Sequence, residues 1–297
     1  MSSPSTAAPM DVIHLARCDE RPSASARCRE ALRAYGQRLL VALAVLLPLT
    51  AVFRLTEADL MLSRPFYGGP ADPWPAARDQ PFLFLYDYGP LVGAGLGVGG
   101  LVIALASLLW TRLRPAREAG FFLAALLILG PGLFVNGVFK PQWGRPRPRQ
   151  LAVFGGGQEF AAVWDQRPAG NGKSFTSGHA SMGFYLMGPA FLLYPRRRGW
   201  ALAFFLLGSG GGTLLGLTRL VQGAHFASDI LWSGGAVYLS GLTLRLANDC
   251  WRAVRGAETG RPEAGQAFHA AGPQLAALPQ DAQPLLAPSD IPRRSAA

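Results

Sequence analysis

Six apolar stretches, most of them near the length of a bilayer crossing, constrain this chain more than any other feature. They run from Leu39 to Phe53, Tyr88 to Trp110, Ala119 to Phe139, Gly178 to Tyr194, Gly199 to Thr218 and Phe226 to Leu244. A helix needs roughly 20 apolar residues to span the hydrocarbon core, where every backbone N–H and C=O must be satisfied within the segment. Leu39–Phe53 approaches that length when Tyr35–Gln37 extend it. Glycines inside the stretches, such as Gly208–Gly212 and Gly234-Gly235, weaken a helix in water but allow close helix contact in lipid. Only 15% of the 297 residues are charged, against roughly 25% in a typical soluble domain. The pattern predicts an all-α fold, an integral-membrane bundle of six transmembrane helices over residues 39–245. A polar cytoplasmic tail over 1–38 precedes it, and a disordered cytoplasmic tail rich in Ala, Pro, Gly and Gln over 246–297 follows.

The arginines orient the bundle. Arg112, Arg114 and Arg117 separate spans two and three, and Arg196, Arg197 and Arg198 separate spans four and five. Arg27, Arg29, Arg33 and Arg38 precede the first span, and Arg245, Arg252 and Arg255 follow the last. In a six-span chain all of these fall on one side, which the positive-inside rule makes cytoplasmic. The net charge of +10 is scattered over short loops and tails without an aromatic-studded stripe, so no nucleic-acid partner is expected. Cys18, Cys28 and Cys250 lie in the cytoplasmic segments, where thiols stay reduced, and no Cys–His spacing points to a metal. Neither a disulfide, a metal nor a cofactor is expected.

Three short polar segments close the apolar runs on the opposite side. The first is Lys140-Pro-Gln-Trp-Gly-Arg-Pro-Arg147-Pro148, the second Ser174-Phe-Thr-Ser-Gly-His179, and the third Thr218-Arg219 with His225 and Asp229. Lys140 and Lys173 are the only lysines in an arginine-rich chain, and both fall in the loop that holds the first two segments. Topology and chemistry therefore point to the same non-cytoplasmic face.

Each segment has a chemical reading and a plainer one. His225 and Asp229 stand four apart at a helix start and share a face, so the carboxylate can fix the ring and stabilise its positive charge during nucleophilic attack. The plainer reading is a polar helix start. Ser177-Gly178-His179 opens a helix whose free N–H groups suit an anion, and His179 can protonate a leaving oxygen. Alternatively, Ser177 or Thr176 only caps that helix. Lys140, Arg147 and Arg219 can clamp phosphoryl oxygens, with Arg145 and Arg149 as neighbours. The competing reading is interfacial arginines meeting lipid phosphates. Lys173 is expected to contact a headgroup or a second phosphate. Occurring in order and on one side, the three segments point to a metal-free phosphate-ester site.

On these residues the chain resembles the type 2 phosphatidic acid phosphatase superfamily. That family's pattern is Lys, six residues, Arg-Pro; then Pro-Ser-Gly-His; then Ser-Arg, five residues, His, three residues, Asp. Lys140, Arg147-Pro148, Arg219, His225 and Asp229 match it, while Thr176 replaces proline and Thr218 replaces serine. The resemblance covers about residues 39–245. It implies a metal-independent mechanism through a phosphohistidine, with His225 as nucleophile, Asp229 as its relay partner and His179 as general acid. Lys140, Arg147, Ser177, Gly178 and Arg219 become phosphate ligands. The implied substrate is a lipid phosphate of the phosphatidic acid, phosphatidylglycerol phosphate, prenyl diphosphate or lipid A type, handled at the outer face of a bacterial inner membrane. A phosphoryl transferase with the same site, and a non-catalytic binder or transporter of anionic lipid, are the competing functions.

Overall fold

The computed structural model describes residues 23–167, 170 and 172–259. The remaining positions, which include Cys18 and most of the two predicted tails, lie outside the described residues. Within them the chain is helical, with one isolated bridge between Leu151 and Gln158 and no strand. Residues 29–249 form the unit that carries the site. Residues 23–28 and 250–259 belong to a second, small unit, in which Arg27 Nη2 donates to the Ala253 carbonyl at 3.0 Å.

In chain order the α-helices are α1 (Ala24–Leu55), α2 (Ala58–Ser63), α3 (Phe82–Leu109), α4 (Arg117–Leu127), α5 (Lys140–Trp143), α6 (Gly178–Phe184), α7 (Gly188–Leu193), α8 (Arg198–Val221) and α9 (Ala227–Thr259). Four helical runs are long and apolar enough to cross a membrane: Ala24–Leu55, Phe82–Leu109, Thr111–Gln150 and Arg198–Val221. Their outward faces carry exposed Leu, Val, Ile and Phe, for example Val41, Val102, Ile128 and Leu206. Such continuous apolar cover is untenable in water and natural against lipid.

The predicted stretch from Gly178 to Tyr194 is not one continuous α-helix. It divides into α6, a tighter turn over Tyr185–Met187, and α7. Pro189 lies in the first turn of α7, where its missing N–H leaves one rung of any longer helix unmade. These pieces are largely buried, with Ala180, Tyr185, Met187 and Phe191 in the main core beside Phe122, Leu126, Ile230 and Val237. α9 is long but starts polar, at Ser228 and Asp229, and becomes charged again at Arg245 and Asp249. Helix extends beyond both predicted domain limits, covering residues 24–38 and 246–259.

Between α4 and α5 the winding loosens to an i→i+5 pattern over Ile128–Phe139. Pro131 sits within it and has no N–H to give, and Asn136 Nδ2 donates to the Pro131 carbonyl at 2.7 Å. Gly144 then ends α5 at φ +59, a left-handed conformation that a Cβ would strain. The segment after α2 and the loop over 148–160 pack a second cluster of Leu60, Trp74, Leu151, Phe154 and Phe226. Trp143, Val163, Phe175 and Trp232 form a third. These two aromatic layers brace the loops that carry the polar segments.

Candidate active site

Backbone bonds stitch the three segments together. Ser174 N–H donates to the Arg145 carbonyl at 3.0 Å, joining the second segment to the first. Arg149 N–H donates to the Gly223 carbonyl, also at 3.0 Å, joining the first to the third. Gly223 adopts φ +59 at the end of α8 and turns the chain back toward His225.

The result is a cavity of about 350 Å³ lined by Lys140, Arg147, Arg149, His179, Arg219 and His225, together with Tyr86, Gln222, Ala77 and Leu83. No carboxylate lines it, so four cations and two histidines face one space. Arg147 Nε and Arg219 Nε are buried without a hydrogen-bond partner among the described residues. Buried donors of this kind are costly, and an oxyanion of matching size satisfies them.

Two of the cations are aimed by neighbours. Lys140 Nζ donates to Asn136 Oδ1 at 2.9 Å. A side chain at Gly178 would come within 3.1 Å of the Lys140 ammonium, so the glycine leaves room for that charge at the start of α6. Arg219 Nη1 donates to Gln222 Oε1 at 2.5 Å, and its guanidinium carbon lies 4.6 Å from the Tyr86 ring centroid. His179 stacks on the same tyrosine.

His225 is 2% exposed and held from behind. Its Nδ1 lies 2.6 Å from the Ser174 carbonyl and 3.6 Å from Asp229 Oδ2. A carbonyl only accepts, so Nδ1 carries the proton and Nε2 keeps the free lone pair. The ring N–H that sequence reasoning assigned to Asp229 therefore goes to Ser174, and Asp229 acts on the ring as a nearby charge. Burial pushes the His225 pKa below its ordinary value while Asp229 works against that fall, which favours the neutral ring that a nucleophile needs.

Asp229 has a full set of donors. Oδ2 accepts from Ser174 Oγ at 2.5 Å and from Phe226 N–H at 2.9 Å, the latter closing the first turn of α9. Oδ1 accepts from Arg145 Nη1 at 2.6 Å. Arg145 is fully buried; it also donates to Ala161 O, Ser228 Oγ and Asp59 Oδ2.

Not every predicted residue meets the cavity. Ser177 is buried and caps α6, its Oγ accepting from Ala180 N–H at 3.3 Å, while its own N–H donates to Ser233 Oγ. Thr176 Oγ1 makes no such bond. Lys173 is exposed and does not line the cavity. The reading of the sequence missed Tyr86, Asn136, Gln222, Asp59 and Ser228 as contributors, and placed Ser174 in the second segment without a role. Asp59 had only a weak signal, an acid set directly before the apolar Leu60-Met61-Leu62 and two residues after Glu57.

A helical bundle with two histidines and four cations around one cavity has the donor set for a phosphate oxyanion. The family model described as the PAP2 superfamily matches residues 119–252. A lipid A 4'-phosphatase of Francisella tularensis subsp. novicida (strain U112) is 34% identical over 184 residues, 61% of this chain and 82% of the relative. A lipid A 4'-phosphatase of Rhizobium leguminosarum is 36% identical over 121 residues, 39% of this chain and 50% of the relative. One from Rhizobium etli (strain ATCC 51251 / DSM 11541 / JCM 21823 / NBRC 15573 / CFN 42) is 36% identical over 132 residues, 43% and 49%. The chain thus spans about half the length of the two Rhizobium proteins. No solved structure matches. The chain belongs to the PAP2 superfamily and is a membrane lipid phosphatase.

Proposed function

We propose that this protein hydrolyses a phosphate monoester on a lipid A-type glycolipid through a covalent phosphohistidine, without a metal ion. The observation that carries the mechanism is His225 lining the cavity with Nδ1 engaged by the Ser174 carbonyl, which leaves Nε2 for attack. The three lipid A 4'-phosphatase relatives support the substrate class.

In the first step Nε2 of His225 attacks phosphorus and the bond from phosphorus to the lipid oxygen breaks. His179 gives its proton to the departing alkoxide. Lys140, Arg147 and Arg219 hold the equatorial oxygens, whose charge grows most in the transition state. Asp229 offsets the positive charge that His225 acquires. In the second step water gives a proton to His179 and attacks the same phosphorus, and the P–N bond breaks. Inorganic phosphate leaves and both histidines return to their starting states.

The proposal includes the membrane arrangement: six spans, with α6–α7 and α9 crossing beside the four longer runs, and the site on the periplasmic side of the inner membrane. The one-sided distribution of Arg112, Arg114, Arg117 and Arg196–Arg198 supports this orientation.

The decisive measurement is phosphate release by the purified protein in detergent, from lipid A, phosphatidic acid and phosphatidylglycerol phosphate in parallel. Release that is greatest from lipid A, persists with chelator and stops with vanadate is the expected result. Loss of release with chelator, or equal rates on all three lipids, contradicts the proposal. Phosphate appearing on a second lipid instead of in water identifies a transferase.

A further inference from the structure

A buried row of three charges lies behind His225. Asp59, Arg145 and Asp229 are each at or near zero exposure, in a region where an unpaired charge is very costly. Arg145 sits between the two acids, with Nη2 2.7 Å from Asp59 Oδ2 and Nη1 2.6 Å from Asp229 Oδ1. Ser228 bridges them: its N–H donates to Asp59 Oδ1 at 3.0 Å, its hydroxyl donates to Asp59 Oδ2 at 2.5 Å, and its Oγ accepts from Arg145 Nη1 at 2.8 Å. Burial holds the Asp59 pKa above its ordinary value, with Arg145 and Ser228 opposing the rise and the nearby Asp229 carboxylate adding to it. Arg145 Nη2 and the Ser228 N–H can only donate, and with the Ser228 hydroxyl they give Asp59 the donor set that an ionised carboxylate takes.

The stoichiometry needs explaining. One arginine would neutralise Asp229, and a neutral pair does little for the cation that forms when His225 bonds to phosphorus. A second carboxylate on the far side of the guanidinium leaves the row with one negative charge in excess, close behind the nucleophile. We propose that Asp59 and Arg145 are positioning residues for His225, acting through Asp229: Arg145 fixes the carboxylate in place, and Asp59 keeps the row negative. The short helix after the first span thus belongs to the catalytic apparatus. This proposal rests on His225 being the nucleophile.

Several other charged groups also act on His225. Asp229 comes from α9, Arg219 from α8, Lys140 from α5 and His179 from α6, while Arg147 and Arg149 line the same cavity. Of these only Asp229 bonds to Arg145, so the groups lining the cavity are common to every variant.

The test is the acid limb of the pH profile of kcat/KM, which reports protonation of His225 in the free enzyme. Asp59→Asn makes the row neutral, so His225 is harder to protonate and the limb moves to lower pH. Arg145→Gln leaves two negative charges, so the limb moves to higher pH. Shifts of about one unit in opposite directions are expected, the usual size for a nearby charge. The double variant restores one negative charge, and its limb returns toward that of the wild type. A purely structural role predicts no such opposition. Limbs that stay put or move together in the folded variants overturn the proposal. Where either single variant does not fold, Asp59→Glu is the probe, since it retains the charge. Substantial turnover with an unmoved limb is expected, and a folded Asp59→Glu protein without turnover overturns the proposal. Quenching in alkaline detergent, where the acid-labile P–N bond survives, separates this question from the mechanism: turnover by His225→Ala removes the nucleophile itself, whereas a trapped phosphohistidine with unmoved limbs defeats only the positioning role.

Discussion

His179 and Tyr86 stack nearly face to face, with ring centroids 4.7 Å apart and planes 11° from parallel. Tyr86 projects from α3, outside all three polar segments, and the Arg219 guanidinium lies over the same ring. One aromatic side chain therefore orients both a candidate acid and a phosphate clamp. Contacts of this type contribute about 0.5–1.5 kcal/mol each. Tyr86→Phe keeps the ring, so near-normal kcat is expected. Tyr86→Ala is expected to lower kcat by about tenfold as both partners lose their orientation. Steady-state kinetics on the two purified variants check this, and equal activity for both denies the ring any role.

The two histidines differ in what their loss does. His225→Ala is expected to abolish turnover on every substrate, since no other group replaces the attacking nitrogen. His179→Ala is expected to slow release by about 10²–10⁴-fold for a lipid alkoxide. It slows far less for an aryl phosphate, whose leaving oxygen needs no proton. The comparison to make is the ratio of rates on the two substrates for each variant. A His179→Ala protein that loses both equally has not lost a general acid.

The parts of this site that sequence made legible share one property: they stand at the ends of apolar runs in short, dense motifs. Lys140, Arg147, Arg219, His179 and His225 fall in such motifs, and all five reach one cavity. Asp59, Arg145 and Ser228 were not legible, because their meaning lies in pairings across most of the chain. Asp59 and Ser228 stand 169 residues apart, and nothing local to either announces the other. Arg145 was visible as a neighbour of Arg147, but complete burial is a tertiary property. Asp229 was read as the acceptor of the His225 N–H from i,i+4 spacing alone. That spacing brings two side chains onto one face, but it cannot reveal that the Ser174 carbonyl lies nearer. The continuity of the stretch from Gly178 to Tyr194 was overestimated for a related reason: hydropathy averages over Pro189, while the hydrogen-bond ladder does not.

The sidedness of the proposed bundle is open to chemical labelling. Ser174 is buried and bonded to Asp229, so a cysteine there is a poor reporter. Val153 is 61% exposed in the loop near the cavity, and Arg197 is exposed between α7 and α8. In spheroplasts of a cysteine-free background, an impermeant thiol reagent is expected to label Val153→Cys at once. Arg197→Cys should react only after permeabilisation. The reverse pattern inverts the proposed topology, and labelling of both before permeabilisation breaks the six-span arrangement.

Ser174 combines two contacts that mutation can separate. Its carbonyl holds His225 and its hydroxyl holds Asp229. Ser174→Ala removes only the second, leaving a buried carboxylate short of one donor at a cost of about 1–3 kcal/mol. A lower Tm with kcat reduced but measurable is the expected outcome in detergent. A Ser174→Ala protein as inactive as His225→Ala, yet equally stable, assigns the hydroxyl a direct part in the chemistry.

The two lysines provide the last contrast. Lys140 lines the cavity with Nζ tethered to Asn136, whereas Lys173 is exposed and outside the lining. A clamp on the transferred phosphoryl group acts most where charge is rearranged, so Lys140→Ala is expected to depress kcat. A contact to a distant part of the headgroup is equal in ground and transition states. Lys173→Ala is therefore expected to raise KM, spare kcat and alter the preference between monophosphate and diphosphate lipids. Asn136→Ala, which frees the Lys140 ammonium without removing it, should fall between wild type and Lys140→Ala in kcat. Measuring all three variants on both lipid classes in one detergent decides the matter. If Lys173→Ala loses as much kcat as Lys140→Ala with its preference unchanged, the exposed lysine reaches the reacting phosphate after all, and the loop that carries it closes over the cavity during turnover.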